Sequence, residues 1–197
     1  MTTSSRSDPP TATTTPVALP GISNRAWSWN REPSDWQVAD AGVTWTSPAH
    51  SDFWRRTDGL PVAHDGSSLL TRIEGDFEFE LLVKGSLEDR YDQVGLMIAS
   101  SLTKWLKAGV EMDGDLWLSA VHTREESDWS REIWSSNEVR LRAARHDDTI
   151  EISVGEIYGW RTYRTLFLPG PVGVGPYACS PTSEGVRASA TVLALRG

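Results

Sequence analysis

An aromatic, a cation and a carboxylate recur at even spacing in one short stretch of this chain: Trp105-Leu106-Lys107-Ala108-Gly109-Val110-Glu111-Met112, followed by Asp113-Gly114 and Asp115-Leu116-Trp117. Successive side chains of a strand face opposite ways, so Trp105, Lys107 and Glu111 share one face while Leu106, Ala108, Val110 and Met112 enter the core. An indole face packs on the apolar face of a sugar ring, and charged or amide side chains read its hydroxyls. Trp105 would stack, Lys107 and the nearby Gln93 would donate, and Glu111 would accept. The same pattern also suits a core tryptophan beside an ion pair on an exposed sheet.

Other residues are candidates for the edges of such a site. Asp52-Phe53-Trp54 places Asp52 and Trp54 on one side if Phe53 points inward. Asp52 would then accept from ligand hydroxyls or hold Arg55 or Lys107, the alternative being a turn cap. Trp129, within Ser127-Asp128-Trp129-Ser130, lies in a polar stretch from Thr123 to Asn137 that reads as a long loop and also holds Trp134. Both indoles would rim the groove or seal the end of the fold. His122 alternates with Leu118 and Ala120, which places it with the inward set, or on the groove in the opposite register. If the groove performs acid/base chemistry, the catalytic candidates are Glu111, Lys107, Asp52 and His122.

Arg140, Arg142 and Arg145 recur on one strand face, expected to be solvated and paired with Glu151, although arginine forks also suit an acidic ligand. The lone cysteine, Cys179, excludes an intrachain disulfide and reads as a small packed residue. The histidines show no metal-ligand spacing, no phosphate-cradling glycine loop opens a helix, and a Gly-x-Ser-x-Gly elbow is absent. Neither a metal nor a cofactor is therefore expected. A formal charge of -8 argues against nucleic acid. No apolar run reaches the ~20 residues of a membrane helix, and the amino terminus lacks a signal-like apolar region, so a cytoplasmic protein away from membranes is expected.

The elements that must position these residues are strands. Residues 1–20, rich in Ser, Thr and Pro, read as a disordered tail, and residues 21–197 as one domain. Phe77, Phe79 and Leu81 alternate with Asp76, Glu78 and Glu80. Turn residues at Asp113-Gly114 and His146-Asp147-Asp148 mark hairpins, and a short helix over Ser101–Ala108 is disfavoured by the glycine and turn that follow. Many short strands predict an all-β sandwich or barrel, with periodicity leaving the choice open.

Several segments in order resemble one family: Trp27-x-Trp29-Asn30-x-x-Pro33-x-x-Trp36, Asp52-Phe53-Trp54, Tyr91-Asp92-Gln93-x-Gly95-Leu96, Trp105-x-Lys107-x-Gly109-x-Glu111, Ser127-Asp128-Trp129-Ser130 and Val172-Gly173-Val174-Gly175-Pro176-Tyr177. Together they resemble the family named after the regulation of enolase protein, from about Trp27 to Leu195. The resemblance implies a concanavalin A-like jelly-roll sandwich of two antiparallel sheets, one curved to carry a groove. It does not fix an activity, since relatives of that fold include lectins, carbohydrate-binding modules, glycosidases and lyases. The Glu-x-Asp-x-x-Glu cluster of the fold's glucanases has no counterpart; the nearest stretch is Asp76-x-Glu78-x-Glu80. The expectation is binding of a carbohydrate or similarly hydroxylated small molecule. A small isomerase, lyase or cyclase using the same groove is the first alternative, and a regulatory module docking a protein partner the second.

Overall fold

A computed structural model describes residues 16–20, 22, 25–55 and 63–197 of the chain. Among these residues sixteen strands run in chain order: β1 (Ser28–Trp29), β2 (Trp36–Ala39), β3 (Gly42–Thr46), β4 (Phe53–Trp54), β5 (Ala63–His64), β6 (Ser67–Ile73), β7 (Phe77–Gly85) and β8 (Gln93–Ser101). They continue as β9 (Lys104–Asp113), β10 (Asp115–Thr123), β11 (Ser127–Ile133), β12 (Glu138–His146), β13 (Thr149–Glu156), β14 (Gly159–Phe167), β15 (Val172–Cys179) and β16 (Arg187–Arg196). No helix interrupts them among the described residues. Two seven-stranded sheets have the orders β1-β6-β15-β8-β9-β10-β11 and β14-β13-β12-β7-β16-β3-β2, and β4 pairs with β5 as a separate ribbon. The sheets are antiparallel and the fold is the expected jelly-roll sandwich.

Period-two alternation makes the core. Phe79, Leu81 and Val83 of β7 and Leu141 and Ala143 of β12 meet Leu96 and Ile98 of β8, Leu106, Ala108 and Val110 of β9, and Leu118 and Ala120 of β10 in one buried cluster. Met112 packs against that cluster partly buried. The β9–β10 hairpin turns at Gly114, whose φ of 76° suits a residue without a side chain. At the β12–β13 turn Asp147 takes φ 53°, a conformation that Asp tolerates.

The amino-terminal boundary differs from expectation. Val17 and Leu19 lie in the core, and the Val17 and Trp27 backbones exchange hydrogen bonds of 2.7 and 3.1 Å. The packed chain thus includes part of the segment assigned to the tail, because two apolar residues between prolines suffice to cap the end of the sandwich. The remainder of that assignment, residues 1–15, lies outside the described residues.

Two further expectations are corrected. The polar stretch from Thr123 to Asn137 is mostly strand: β11 pairs with β10 from Trp117↔Ile133 to Thr123↔Ser127 and forms the edge of its sheet. An edge strand exposes polar side chains on both faces, which made it read as a loop. Arg145 departs from the face shared by Arg140 and Arg142. It is 5% exposed and donates to the carbonyls of Asp147 and Gly170, both at 2.6 Å, and to the Asp148 carboxylate at 2.7 Å. Arg140 pairs with Glu80 at 2.8 Å rather than with Glu151, which lies opposite Ala144. Arg140 and Arg142 stack on Trp160, 4.5 and 4.8 Å from its ring.

Candidate functional site

The outer face of the first sheet is where the alternation of β9 leads. Lys107 and Glu111 lie there, two strand positions either side of Gly109. Antiparallel pairing sets Gln93 of β8 opposite Glu111, Met97 opposite Lys107 and Gly95 opposite Gly109. From β10, Val121 faces Lys107 and Trp117 faces Glu111. The Gly95–Gly109 pair leaves the floor between the charged residues free of side chains. A Cβ at either position would fall 2.1 or 2.0 Å from a carbonyl oxygen of the neighbouring strand, so glycine is what lets β8 and β9 approach here.

Residues 52–55, which include β4, build the wall. Phe53 turns down onto this face, 3% exposed, with its ring 6.4 Å from Trp105 and 6.0 Å from Tyr177. Met97 and Cys179 complete that small apolar cluster. Asp52 and Trp54 consequently share the side facing Lys107. Beyond Trp54, the Arg55 amide donates to Ser127 Oγ at 2.9 Å and the Ser127 amide to the Arg55 carbonyl at 2.7 Å. These bonds bring Trp54 edge-on to Trp129, at 6.2 Å and 87°. The result is a recess of about 260 Å³ lined by Asp52, Trp54, Tyr91, Gln93, Lys107, Glu111, Val121 and Trp129.

Within the recess Lys107 and Glu111 are 1% and 4% exposed. Lys107 Nζ is 3.4 Å from Asp52 Oδ1, which also accepts from the Phe53 amide at 2.7 Å. Burial alone would pull the Lys107 ammonium towards neutrality, but Asp52 and Glu111 outweigh it and its pKa is raised. Burial also raises the Glu111 carboxyl, despite the Ser119 hydroxyl and the Lys107 charge that lower it. A charged lysine thus stands beside a carboxyl that holds its proton more tightly than usual. Ser119 Oγ in turn accepts from Trp129 Nε1 at 3.2 Å, linking the wall to the floor.

The rim is stitched by residues that sequence reading did not single out. Arg131 follows Trp129 by two positions on β11, so its guanidinium lies 4.6 Å from the Trp129 ring and 4.2 Å from that of Trp117. It donates to Asp113 at 2.6 Å, and Arg90 donates to the same carboxylate at 2.8 Å. Arg90 also lies 4.6 Å over the Tyr91 ring. The two-residue spacing of Trp129 and Arg131 was the available signal for this stack. Tyr91 stands at φ 67°, uncommon for an aromatic residue, and its amide donates to the Met112 carbonyl at 2.6 Å.

Asp92 pins the turn that carries Tyr91. It is 2% exposed, and accepts from the hydroxyls of Ser180 and Ser183 and from the amides of Asp89 and Glu88 at 3.1 and 3.3 Å. Asp92→Ala would leave those donors without their acceptor. An unfolding midpoint in urea should register a loss of about 2 kcal/mol.

Three candidates lie elsewhere. Trp105 is buried beneath Phe53 and lines a separate recess of about 240 Å³ with residues such as Leu70 and Met97. Its indole is therefore on the expected face but walled off from Lys107. His122 pairs across from Leu106 and falls on the inner side of the sheet, away from the recess. There burial, Arg124 and Arg164 lower its pKa against the opposing pull of Asp128. Trp134 packs partly buried against the main core and donates from Nε1 to the Glu138 carbonyl at 3.1 Å, rather than rimming the recess. Cys179 is fully buried, and burial pushes its thiol pKa up strongly. Among the described residues no group of three or more His, Cys, Asp or Glu is placed to hold a metal ion, and no helix is long and apolar enough to cross a membrane.

Residues 29–196 match the profile of a family described as "Protein of unknown function (DUF1349)". The chain belongs to that family. The Saccharomyces cerevisiae protein Regulation of enolase protein 1 is 32% identical over 168 residues, covering 81% of this chain and 84% of that protein. The crystal structure of a functionally unknown protein from Saccharomyces cerevisiae superimposes with a TM-score of 0.82 at 29% identity, covering 87% of this chain and 96% of that one. Fold similarity extends to a GH43 protein of Bacillus licheniformis, with a TM-score of 0.65 and 12% identity over 86% of this chain and 36% of that one. It also reaches the carbohydrate binding module CBM66 of Bacillus subtilis, with a TM-score of 0.54 and 12% identity over 87% of this chain and 95% of that one. At such identities these last two likenesses concern the fold alone, while the profile match and the 32% identical relative place the sequence in its family.

Proposed function

We propose that this chain binds a carbohydrate or a similarly hydroxylated small molecule in the recess over Lys107 and Glu111. The convergence of Lys107, Glu111, Gln93 and Asp52 between the indoles of Trp54 and Trp129 carries this reading. Desolvated polar groups around a small void, with aromatic walls, are what a hydroxylated ring requires. The Gln93 amide oxygen is buried without a hydrogen-bond partner, an acceptor that a ligand hydroxyl would satisfy. The fold likeness to a carbohydrate binding module is in keeping with it. Trp105 takes no part; Trp129 supplies the stacking face. Cytoplasmic residence belongs to the same proposal.

The test is calorimetric titration with a panel of monosaccharides, polyols and short glycans. At least one should bind to the wild type and bind about tenfold more weakly to Trp129→Ala, the loss of one stacking contact of about 1.4 kcal/mol. If no panel member produces heat or a chemical-shift change at the recess, the reading is wrong.

A second reading, acid/base catalysis at the same place, is favoured by the raised pKa of Glu111 beside a charged lysine. Glu111 would move a proton and Lys107 would steady the developing negative charge. Binding retained and turnover abolished in Glu111→Gln would select it. The relative's name, Regulation of enolase protein 1, favours a regulatory role with a protein partner, which the same recess would serve as a ligand sensor.

Glu111 also predicts a pH dependence. Its folded pKa lies above the ordinary 4.5, so between those values the folded protein keeps a proton that the unfolded chain has released. Its contribution to stability is therefore favourable at low pH and lost as pH rises through the folded pKa. The melting temperature of Glu111→Gln minus that of the wild type should grow from pH 4 to pH 7. A difference that stays flat or shrinks would contradict the buried, proton-retaining carboxyl.

A further inference from the structure

We propose that the recess reads one uncharged sugar-sized ring, free or at a chain end, and discriminates against acidic counterparts and the interior of a glycan. This rests on the binding reading above and adds ligand charge, size and position in a chain.

Size and shape come first. About 260 Å³ is below the ~300–1,000 Å³ typical of sites for drug-sized ligands, which limits the occupant to about one ring. A glycan lying along β9 would have to pass from Glu111 over Lys107 to Trp105. Phe53 stands across that path, 3% exposed and packed on Trp105 and Tyr177, and Trp105 lines a different recess beyond it. The groove implied by the alternation is thus blocked between two residues only about 7 Å apart along the strand. Trp54 and Trp129 meet at 87°. Perpendicular indoles form a corner around one ring, whereas successive rings of a bound chain need coplanar platforms.

Charge and hydrogen-bond balance come second. Asp52, Glu111 and the unpartnered Gln93 oxygen are acceptors, and the single cation among the lining residues, Lys107, already faces Asp52. The rim arginines Arg90 and Arg131 both donate to Asp113. A ligand carboxylate or phosphate would meet two carboxyls and, among the described residues, find the nearby Lys107, Arg90 and Arg131 engaged, while a neutral polyol brings a donor for the unpartnered Gln93 oxygen. Lys107 can still donate to a ring or hydroxyl oxygen from its remaining N–H groups.

The experiment titrates the full chain, by calorimetry and amide chemical shifts, with neutral hexoses and pentoses, hexuronic acids and hexose phosphates. The same titrations use a linear glucan oligosaccharide and a cyclic glucan of the same ring number, which has no end. At least one neutral monosaccharide should bind, with its uronic acid and phosphate more than about tenfold weaker. The linear oligosaccharide of a bound sugar should bind and the cyclic one should not. Glu111→Gln, which removes a carboxylate without changing shape, should narrow the acid discrimination to less than about threefold. Equal or tighter binding of the acids, or of the cyclic glucan, would overturn this inference while leaving hydroxylated-ligand binding intact. No binding by any of these probes would remove the underlying reading and this inference with it.

Discussion

Lys107→Met should destabilise the fold by about 3 kcal/mol and abolish ligand binding, although methionine nearly matches lysine in shape. The Lys107 side chain is 2% exposed and its ammonium faces Asp52, with Glu111 two positions beyond Gly109 on the same strand face. Methionine would be easier to bury, but removing the cation leaves two carboxyls crowded in a poorly hydrated recess. Asp52 retains some solvent contact, its side chain being 26% exposed, and Glu111 can take up a proton. Those reliefs put the cost at the lower end of the range for broken buried pairs. In a chain of this size the melting temperature should drop by about 6–12 °C at pH 7, with a smaller drop at pH 5 where Glu111 is more fully protonated. Unchanged or increased stability at both pH values would mean that the carboxyls do not depend on Lys107, and its role in the recess would have to be reconsidered.

Gly109→Ala should have a comparable or larger effect for a steric reason. An added Cβ would sit 2.0 Å from the Val94 carbonyl oxygen and 2.6 Å from the Gly95 Cα. Both contacts are to backbone, so relief requires β8 and β9 to separate at the centre of the sheet. We expect a loss of about 3 kcal/mol or more, measured by urea unfolding. Gly173→Ala is the internal control. Its Cβ would lie 3.2 Å from Leu70 Cδ1 and 3.3 Å from Leu70 Cβ, contacts only a few tenths of an ångström tight and not to backbone, and its cost should stay within about 1 kcal/mol. Equal stability of both variants would rule out close strand approach as the reason for glycine at position 109.

The fate of the other candidates shows which interactions were local. Lys107, Glu111 and Gln93 could be placed together because alternation assigns faces, and the Asp113-Gly114 turn sets the register of β9 on β10. Asp52 and Trp54 share a side by the same rule, although Phe53 between them packs against Trp105 and Tyr177 on the outer face of the sheet rather than in the core between the sheets. Trp105 obeyed it too, yet its availability to a ligand depended on a side chain 52 positions earlier in sequence, Phe53, folding over it. Trp129 was open between rim and seal in the sequence; it lines the recess from a strand that reads as a loop, since an edge strand lacks the one-sided apolar pattern. Arg145 left the face of Arg140 and Arg142 because three positions after Arg142 the strand has reversed sides and two carbonyls await a donor.

Motifs in order along the chain carried the family and, through it, the sandwich, while alternation and turn chemistry specified the strands and the shared face of Lys107 and Glu111, which depend on neighbours two or four residues apart. The closure of that face into a small recess, the exclusion of Trp105 and His122, the Arg131 stack and the raised pKa values of Lys107 and Glu111 came only with the folded chain. Each depends on burial or on partners from distant segments, and neither desolvation nor a contact between β4 and β9 leaves a periodic trace in sequence.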